Sequence, residues 1–442
     1  RLLTVNMRIL HTSDWHLGQH FYGKSRAPEH QQFLTWLITQ VQIHKVECVI
    51  VAGDIFDTGT PPSYAREMYF DFIVNMHEIN CQLIILAGNH DSVAMLGESK
   101  QLLRSLSARV IPNATANFYE NDNSESLNEQ VFYINDQYGE AQAVICAIPF
   151  LRPRDILTSQ AGKTANDKSQ SLQQAIKEHY QRLYQQAKKL SIIDGTKTLP
   201  IIATGHLTTV GVTISESVRD IYIGTLEAFP ANAFPNADYI ALGHIHRAQK
   251  VAKTEHIRYC GSPIPLSFDE AKQTKRVLIV DFIQDKLDKV TELQVPSFQP
   301  IMMVKTTLNG LSALVTEQVK QFDELKNGQK IWLDIEIDSS EYLQDLNSRI
   351  DQLVSDLPVE ILLVRRSKKS RKAMPNNQKK ITLSELSLTD VFNTRLDQEN
   401  WQTDEEQALK GRLITLFKQT ISEVKSSNKK HAQTQVKLED VQ

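Results

Sequence analysis

The stretches MRILHTSDWH (residues 7–16), ECVIVAGD (47–54) and QLIILAGNHD (82–91) determine the fold of this chain of 442 residues. LPIIATGH (199–206) and ADYIALGHIH (237–246) repeat their pattern further along. In each stretch, an apolar run typical of a buried strand ends in a small residue that is followed at once by Asp, Asn or His. The five stretches therefore predict five strands that each deliver polar side chains at one end.

Helical segments lie between the first three of these strands. Apolar residues recur at helical spacing in residues 28–45, which begin with Pro28, and in residues 62–80. A helix between two buried-type strands is the βαβ pattern of a mostly parallel sheet. Strands of such a sheet end together, and ligands bind just outside their carboxyl ends. We therefore expect the polar residues of all five stretches to meet at one edge of a sheet.

The residues delivered to that edge are oxygen and imidazole donors. They are Asp14, His16, Asp54, Asn89, His90, His206, His244 and His246. A set without thiolate argues against a structural zinc site and favours Mn²⁺, Mg²⁺, Fe²⁺ or catalytic Zn²⁺. The donors suffice for two ions, with Asp54 as the natural bridge. Two ions about 3.5–4 Å apart form the clamp used in phosphoester hydrolysis.

Two pairs of candidate ligands have the same spacing. Asp14 and His16 are two residues apart, as are His244 and His246. If extended backbone continues past the strand ends, both members of each pair point the same way. Any one of these residues has a structural role more often than a functional one, but the five motifs in this order are not expected by chance. Four glycines directly precede candidate ligands, where they permit close approach of the backbone: Gly53, Gly88, Gly205 and Gly243.

The chain divides into three folded parts and a tail. Alternating strands and helices cover residues 7–295, and the two prolines of VPSFQP (295–300) mark a boundary. The alternation restarts in residues 296–372, which predict a small α/β domain. Residues 383–424 contain two amphipathic helices, and residues 425–442 read as a disordered tail.

Three further segments carry their own expectations. Residues 117–142 are rich in Asn, Ser and Glu and predict an exposed hairpin or loop. RRSKKSRK (365–372) holds six positive charges and is either a solvated linker or a patch that contacts phosphates. The apolar stripe of the C-terminal helices, which includes Leu413 and Phe417, is too small to form a core alone, so we expect it to dock on a partner.

Composition sets broad limits on function. The formal net charge of −3 is too small to predict a nucleic-acid partner by itself, so basic residues would have to be clustered locally. No apolar run approaches the length of a membrane span, and the N-terminus lacks a secretory signal, so we expect a cytoplasmic protein. The cysteines form no CxxC pair and are predicted to be small buried hydrophobic residues in a reducing compartment: Cys48, Cys81, Cys146 and Cys260.

At its motifs the chain resembles the calcineurin-like metallophosphoesterase superfamily. The finer resemblance is to the DNA nuclease subunits of bacterial double-strand-break repair complexes. It rests on HTSDWHLGQHFYGKSR, VAGDIFDTGTPPSYARE, LAGNHDSVAML, ATGHLTTVG, DYIALGHIHRAQ and YCGSPIPLSFDE, and it continues through LSELSLTDVFN. The implied fold class is α/β: a metallophosphoesterase β-sandwich flanked by helices, then a small α/β capping domain and a C-terminal helix pair.

The resemblance also implies roles for individual residues. The first metal would be held by Asp14, His16, Asp54 and His246. The second would be held by Asp54, Asn89, His206 and His244. His90 is implied to contact the phosphate and protonate the leaving oxygen, with Asp91 either orienting His90 or capping the following helix.

Two positions depart from related enzymes. Thr58 stands where protein phosphatases of this superfamily have an arginine that grips phosphate, which counts against a phosphomonoesterase. Asp57 stands where several relatives have a histidine that is implied to assist exonuclease action. An aspartate cannot do the same proton chemistry near neutral pH unless its pKa is raised.

The implied activity is that of a metal-dependent DNA nuclease, with 3′-to-5′ exonuclease and single-strand and hairpin endonuclease action in DNA repair, recombination and replication. Two Mn²⁺ per chain are expected, with Mg²⁺ less favoured. A partner ATPase would take residues 383–424, so ATP acts only through that partner, and a homodimer within a two-plus-two complex at the nucleoid is expected. Six basic residues near the motif loops are candidate contacts to DNA: Lys24, Arg26, Arg104, Arg152, Arg154 and Arg247.

Two other functions are open at this stage. A small-molecule phosphodiesterase or nucleotidase is disfavoured because a small substrate needs neither the second domain nor the terminal helices. A non-catalytic scaffold that uses metal only for folding is disfavoured because it does not need His90 in addition to the ligands.

Overall fold

The computed structural model describes most of the chain up to residue 367 and a few residues beyond it. Contacts divide the chain into two units, Arg1–Ser370 and Arg371–Gln442, which are treated separately. The described residues are 7–114, 129–136, 138–157, 165–195, 197–219, 221, 228–322, 325, 328–338, 345–367, 392, 396, 407 and 410–417.

Two six-stranded sheets form the body of the first unit. In spatial order, the first sheet contains β16 (Lys286–Gln294), β15 (Arg276–Ile283), β1 (Met7–Thr12), β4 (Cys48–Ala52), β5 (Gln82–Leu86) and β6 (Ala108–Ile111). The last four run parallel, and β15 and β16 are antiparallel additions. The second contains β13 (Gln249–Lys250), β14 (Ile257–Tyr259), β12 (Tyr239–Gly243), β11 (Ile201–His206), β8 (Ala141–Cys146) and β7 (Val131–Asn135).

The two sheets pack face to face and bury one shared core. Ile50 and Ile84 of the first sheet pack with Ile145, Ile202 and Tyr239 of the second. The central strands are therefore buried on both faces, which explains their continuous apolar runs. The five strands predicted from the motifs are β1, β4, β5, β11 and β12, and all five are present.

Helices cover both outer faces of this sandwich. The apolar stripe of α1 (Ala27–His44) and that of α2 (Ser63–Glu78) pack on the first sheet through residues such as Phe33 and Phe72. The long helix that spans Ala165–Ser191 covers the second sheet through Tyr180. Besides α2, the described residues between α1 and the next domain form four helices: α3 (Val93–Glu98), α4 (Lys100–Arg104), α5 (Pro153–Ile156) and α6 (Ala165–Ser191). The helices predicted at 28–45 and 62–80 are therefore confirmed.

A separate three-stranded parallel sheet follows the sandwich. It consists of β17 (Ile301–Thr306), β18 (Ile331–Ile337) and β19 (Val359–Arg366). Helices α7 (Leu311–Val319) and α8 (Leu346–Val354) cover it, and it has its own hydrophobic core. The predicted boundary near 295 stays a prediction, but a distinct sheet and core beyond it support that division.

Two short hairpins decorate the sandwich: β2 (His20–Phe21) with β3 (Lys24–Ser25), and β9 (Ile192–Ile193) with β10 (Lys197–Thr198). The prediction of an exposed segment at 117–142 is wrong for its last part, because β7 begins within it and buries Val131 and Ile134. Three of the apolar residues of β7 are buried: Val131, Phe132 and Ile134. Residues 115–128 lie outside the described residues.

In the second unit, residues 410–417 are helical and the ring of Phe392 stacks on that of Phe417. The rest of the predicted helix pair and the predicted tail lie outside the described residues. All four cysteines are buried and unpaired, as predicted. Among the described helices, none combines the length and apolarity that crossing a bilayer requires.

Candidate metal centre

The candidate ligands follow five strands, but those strands belong to two sheets. Asp14, Asp54 and Asn89 follow β1, β4 and β5 of the first sheet. His206 ends β11, and His244 follows β12, both in the second sheet. The expectation of one sheet edge is therefore wrong: the site lies where the carboxyl ends of both sheets come together.

In the described part of the chain, the predicted ligands gather into two buried groups. The first group is Asp14, His16 and His246, and the second is Asp54, His206 and His244. Within each group the ligand atoms lie within 4.8 Å of one another. His244 and His246 thus belong to different groups, which corrects the prediction that they point the same way. Extended backbone does not continue past β12, because His244 has a φ of 91°.

Asp54 reaches both groups. Its Oδ2 lies 3.2 Å from Nε2 of His206 and 3.6 Å from Nε2 of His16. The latter nitrogen is buried and has no hydrogen-bond partner among the described residues. Buried polar atoms are nearly always partnered, and a cation ligand accounts for an unpartnered nitrogen beside a carboxylate. This geometry supports the prediction that Asp54 bridges two ions.

The atoms that surround Nε2 of His206 all offer lone pairs that a cation could bind. Its Nδ1 lies 2.9 Å from the carbonyl oxygen of Ala52, which can only accept, so Nδ1 carries the proton. Nε2, the nitrogen that remains for a metal, lies 3.0 Å from Oδ1 of Asn89. Nδ1 of His244 lies 3.0 Å from the same oxygen. Several lone pairs directed at one point fit a divalent cation, so these residues suit the metal that the predicted fold implies.

The charge of the buried Asp54 carboxylate also favours a positive charge close to it. Burial alone would lower the pKa of His206, but the neighbouring Asp54 carboxylate outweighs burial and raises the pKa to about 9. The same pair lowers the pKa of Asp54 well below its usual range, although burial acts in the opposite direction. The pocket is therefore built around ionised carboxylate.

The backbone at the site is in an uncommon conformation. Asp14, His16 and Asp54 have φ angles of 54°, 49° and 50°, in the left-handed region that residues other than glycine rarely adopt. Each such residue costs about 1–3 kcal/mol and persists only where its surroundings impose it. Here the surroundings include hydrogen bonds from the Asp14 amide to Gly53 O and from the His16 amide to Asp54 O, at 3.0 and 3.1 Å.

Glycine is required at two positions because side-chain atoms of candidate ligands lie very close to the backbone there. A Cβ on Gly88 would lie 2.1 Å from Oδ1 of Asp54, and one on Gly53 would lie 2.2 Å from Nδ1 of His206. Both distances are shorter than atoms tolerate. Only glycine lets the loops after β4 and β5 pass close enough to bring their ligands together.

His90 stands beside the first group with its ring fixed by the backbone. Its Nδ1 donates to the carbonyl oxygen of Asp57 at 2.7 Å, so Nε2 is the atom left for a substrate. The predicted alternative that Asp91 orients this ring is wrong. The buried carboxylate of Asp91 instead accepts from the amides of Gly88, Ile55 and Phe56 at 2.8, 3.1 and 3.0 Å. It fastens the two loops that carry Asp54 and His90.

Asp57 has a role that the sequence did not reveal. Its Oδ1 lies 3.2 Å from Nδ1 of His16. Burial would raise the pKa of Asp57, but the hydrogen bond from His16 outweighs burial and lowers it. A carboxylate that stays ionised and holds the ring of a candidate metal ligand can orient that ring, and this role differs from proton transfer.

Ser217, Arg219 and Glu270 are further residues at the site that were not predicted. Oγ of Ser217 lies 2.5 Å from Nδ1 of His246 and 2.5 Å from Oε1 of Glu270. Burial lowers the pKa of His90 and the charge of the exposed Arg219 lowers it further, so Arg219 lies within electrostatic reach of that ring. Ser217 and Arg219 lie in a polar loop without a motif, and only Glu270 lies in a stretch quoted for the resemblance.

The six candidate DNA contacts differ in their surroundings. Arg26 is fully buried, paired with Glu29 and packed against Phe21, so the prediction for Arg26 is wrong. Its position in a polar motif loop gave no sign of this burial. Arg152 donates to the carbonyl oxygen of Asp91 at 3.0 Å and thereby supports the His90 loop.

The other four candidates reach solvent. Lys24 and Arg104 each form a partly exposed ion pair, with Glu360 and Glu129 respectively. Arg154 and Arg247 are exposed. Nε of Arg154 lies 3.6 Å from Oδ1 of Asp155.

Comparison with known proteins identifies the class. Residues 7–248, more than half of the chain, match the calcineurin-like phosphoesterase family. Residues 297–400 match the family described as the type 5 capsule protein repressor C-terminal domain. The chain belongs to the calcineurin-like phosphoesterases, a family that binds divalent metal, and the two ligand groups are candidates for holding it.

Individual relatives narrow the family further. The chain is 52% identical to the SbcD subunit of the SbcCD nuclease from Escherichia coli K12 over 403 residues, which cover 91% of this chain and 96% of the relative. It is 30% identical to the corresponding SbcD proteins from Rhodobacter capsulatus, over 70% of this chain and 73% of the relative, and from Bacillus subtilis, over 75% and 79%. Within the phosphoesterases, the chain therefore belongs to the SbcD family, which confirms the resemblance.

Proposed function

We propose that this chain is the metal-dependent nuclease subunit of an SbcCD-type complex and hydrolyses phosphodiesters at DNA ends and hairpins. The observation that carries the proposal is the pair of buried ligand groups joined by Asp54, with His90 at their border. The 52% identity to a nuclease subunit over nearly the whole chain supports DNA as the substrate class. Exonuclease action in the 3′-to-5′ direction and endonuclease action on single strands and hairpins are part of the proposal.

The ligand set would hold two divalent cations. When bound, such ions supply Lewis acidity toward phosphate oxygens and make water acidic enough to attack. The first ion would be held by Asp14, His16, Asp54 and His246. The second would be held by Asp54, Asn89, His206 and His244. Nitrogen and oxygen donors together favour Mn²⁺ over Mg²⁺, which prefers oxygen alone.

His90 would act on the substrate directly. Its ring is held through Nδ1 by the Asp57 carbonyl, so a proton on Nε2 is the one it can give to the leaving oxygen. Asp91 and Arg152 keep the loop of His90 in place from behind. The chain's own groups thus position a proton donor beside the ion that would bind the phosphate.

Exposed cations near the site would contact the DNA backbone. Arg154, Arg219 and Arg247 are exposed, whereas Lys24 and Arg104 are already engaged with carboxylates. Phosphate contacts of this type position DNA without reading its sequence. Such a substrate would place the protein at the nucleoid.

The partner would be an SbcC-type ATPase. The apolar stripe in residues 383–424 supports docking there, and ATP would then act only through that partner. Because residues 371–442 form a unit of their own, truncation after residue 370 is expected to leave DNA cleavage intact and to abolish capture of the ATPase. Size-exclusion chromatography with the purified ATPase measures capture, and undiminished co-elution would contradict the docking site.

A homodimer within a two-plus-two complex is also proposed. Helix α2 exposes Phe70 and Val74, and helix α4 exposes Leu102, so apolar side chains face solvent on neighbouring helices. An open cleft of about 710 Å³ lies at the start of α2 and is lined by residues such as Pro61, Arg66 and Met95. Two copies that pair through this surface would bury it.

The function is tested by Mn²⁺-dependent cleavage of end-labelled hairpin DNA, beside the small diester bis-p-nitrophenyl phosphate. We expect wild type to cut DNA and His90→Gln to lose cutting while still binding Mn²⁺. His256→Gln, which changes a histidine outside both ligand groups, is the control and should cut normally. Turnover of the small diester without DNA cleavage, even with the partner ATPase and ATP, would favour a small-molecule phosphodiesterase. Metal binding without any hydrolysis would favour a scaffold.

A further inference from the structure

Glu270 is a buried carboxylate that the proposed mechanism does not use. It has no exposed surface and lies in a short turn, Phe268–Glu270, after the second sheet. Its Oε2 accepts from Nζ of Lys275 at 2.5 Å and from the Leu266 amide at 3.0 Å. Its Oε1 accepts from Oγ of Ser215 and Ser217 at 2.7 and 2.5 Å. Burial of a charge is costly unless it is paired and hydrogen-bonded, and this carboxylate is both.

The hydrogen bonds define where the protons are. Glu270 is paired with the Lys275 ammonium and accepts hydrogen bonds from two serine hydroxyls and one backbone amide, which are the surroundings of an ionised carboxylate. An ionised carboxylate can only accept, so Ser217 gives its single proton to Glu270. Oγ of Ser217 is then an acceptor toward Nδ1 of His246 at 2.5 Å, whereas Oε1 of Glu270 lies 3.5 Å from the same nitrogen. Since both groups accept, Nδ1 must carry a proton. Nε2 of His246 is left with a lone pair for the first metal.

A second contact fixes the backbone of the same ligand. Nζ of Lys275 donates to the carbonyl oxygen of His246 at 3.0 Å and lies 2.9 Å from Oγ of Ser262. The buried ion pair therefore holds His246 at both its ring and its main chain. His16 and His206 have simpler partners for the same nitrogen, the Asp57 carboxylate and the Ala52 carbonyl.

We propose that Glu270 is a positioning residue that acts through Ser217 to hold His246 in the tautomer and orientation that bind the first metal. This inference rests on the proposed function, because it assigns a partner to one ligand of the same centre. Partners of this kind are known to change metal affinity by roughly 10–100-fold when they are removed. The inference therefore predicts a defect in one metal site and not in both.

The test measures binding of Mn²⁺ alone by isothermal titration calorimetry, together with the magnetic coupling between paired Mn²⁺ ions by electron paramagnetic resonance. Wild type is expected to bind two ions per chain with a coupled signal. Ser217→Ala is expected to lower the affinity for one of the two ions by roughly 10–100-fold. The coupled signal should then be lost at limiting Mn²⁺. Ser217→Thr retains the hydroxyl and is expected to restore both.

A second variant separates positioning from burial of charge. Glu270→Gln/Lys275→Met removes both charges. It is expected to lower the affinity for the same ion that Ser217→Ala affects. The matched control is Glu29→Gln/Arg26→Met, which removes another buried ion pair that touches neither ligand group and should leave both ions bound. The serine variants keep the test decisive if the double variant fails to fold.

Each outcome separates the inference from the proposed function. Two ions bound by Ser217→Ala with wild-type affinity and coupling would overturn the role of Glu270 while leaving the proposed function in place. If Ser217→Ala and the Glu29 control both lost affinity equally for the two ions, the cause would be general destabilisation. This result would also overturn the role of Glu270. Fewer than two ions bound by wild type would overturn the two-metal proposal itself.

Discussion

At the scale of single residues, the candidate metal centre concentrates an uncommon backbone conformation. Asp14, His16, Asp54 and His244 all have positive φ angles, although none is a glycine. Left-handed backbone directly after a strand turns the chain sharply, so side chains from a strand end point into the gap between the sheets. Departures from local preference of this kind are expected at functional sites.

The close approach at Gly88 gives a sharp prediction. Gly88→Ala would place a Cβ 2.1 Å from Oδ1 and 2.3 Å from the amide nitrogen of Asp54, so the bridging carboxylate has to move. We expect at least a tenfold loss of Mn²⁺ affinity, measured by calorimetry. Gly59→Ala is the matched control, because its nearest neighbour would be 3.7 Å away. Equal Mn²⁺ binding by both variants would contradict this account of Gly88.

Arg219 gives a prediction about substrate. Its guanidinium makes no ion pair with any residue that the structure describes, and it lies within electrostatic reach of His90. We expect Arg219→Gln to raise the Kd for single-stranded DNA about three- to tenfold and to reduce the salt dependence of binding, because about one phosphate contact is lost. Fluorescence anisotropy at several salt concentrations measures both quantities.

The control for Arg219 is Lys189→Gln, which removes the same charge at the end of α6. It is expected to bind DNA as wild type does. If both variants lose affinity equally, the effect is that of net charge and Arg219 has no special place in the site.

At the scale of elements, the hairpin of β2 and β3 joins the small three-stranded sheet to the sandwich. The ring of Phe21 stacks on that of Trp332 in β18, with centroids 5.6 Å apart. Phe268 and Ile301 complete this cluster, and Lys24 pairs with Glu360 at its border. Phe268 stands two residues before Glu270, so the turn that supports His246 also packs against the small domain.

Trp332 is predicted to hold this junction together. Trp332→Ala removes a large and mostly buried ring, which costs about 3–5 kcal/mol in a typical core. We expect a fall in the free energy of unfolding of this order, measured by urea denaturation, with faster hydrogen exchange in β17 and β18. Trp332→Phe keeps a stacking ring and should lose less than half as much. Unchanged exchange in Trp332→Ala would contradict a role for the ring in this junction.

At the scale of the whole molecule, the interior encloses two histidines that must stay neutral, one between the sheets and one on α6 beneath the outer face of the second sheet. Nδ1 of His11 lies 2.9 Å from the Tyr239 hydroxyl, between the sheets, and burial lowers the pKa of His11 to about 3. Nε2 of His179 lies 3.2 Å from Oε1 of Gln130, and burial lowers the pKa of His179 to about 4. Both histidines titrate near pH 6.5 in the unfolded chain.

Stability is therefore predicted to fall in acid. Between about pH 6.5 and 4 the unfolded chain binds a proton at each of these histidines while the folded chain does not, so folding becomes less favourable as pH decreases. Each histidine contributes about 1.4 kcal/mol per pH unit to the slope in the acidic part of that range. Urea denaturation from pH 7 to 4.5 measures it. His179→Gln should give a shallower slope, and an unchanged slope would contradict neutral burial of His179.

The strands, the helices beside them and the residues that gather in the two candidate ligand groups could be predicted from the amino-acid sequence. Each depends on local information: an apolar run, helical spacing, or a polar residue directly after a strand. Cysteine burial followed for the same reason, because Cys48, Cys81 and Cys146 lie in or beside buried-type strands. The family could also be predicted from the sequence, since its motifs are short and continuous.

How those residues combine became visible only in the folded molecule. Pairing of β1 with β15, far along the chain, closes one sheet, while β11 and β12 belong to the other, and no local pattern states this division. The separation of His244 from His246, the burial of Arg26, and the partners that Asp91, Asp57 and Glu270 find all follow from that packing. A strand end carries its own residues, but which other strand ends it meets depends on contacts between distant parts of the chain.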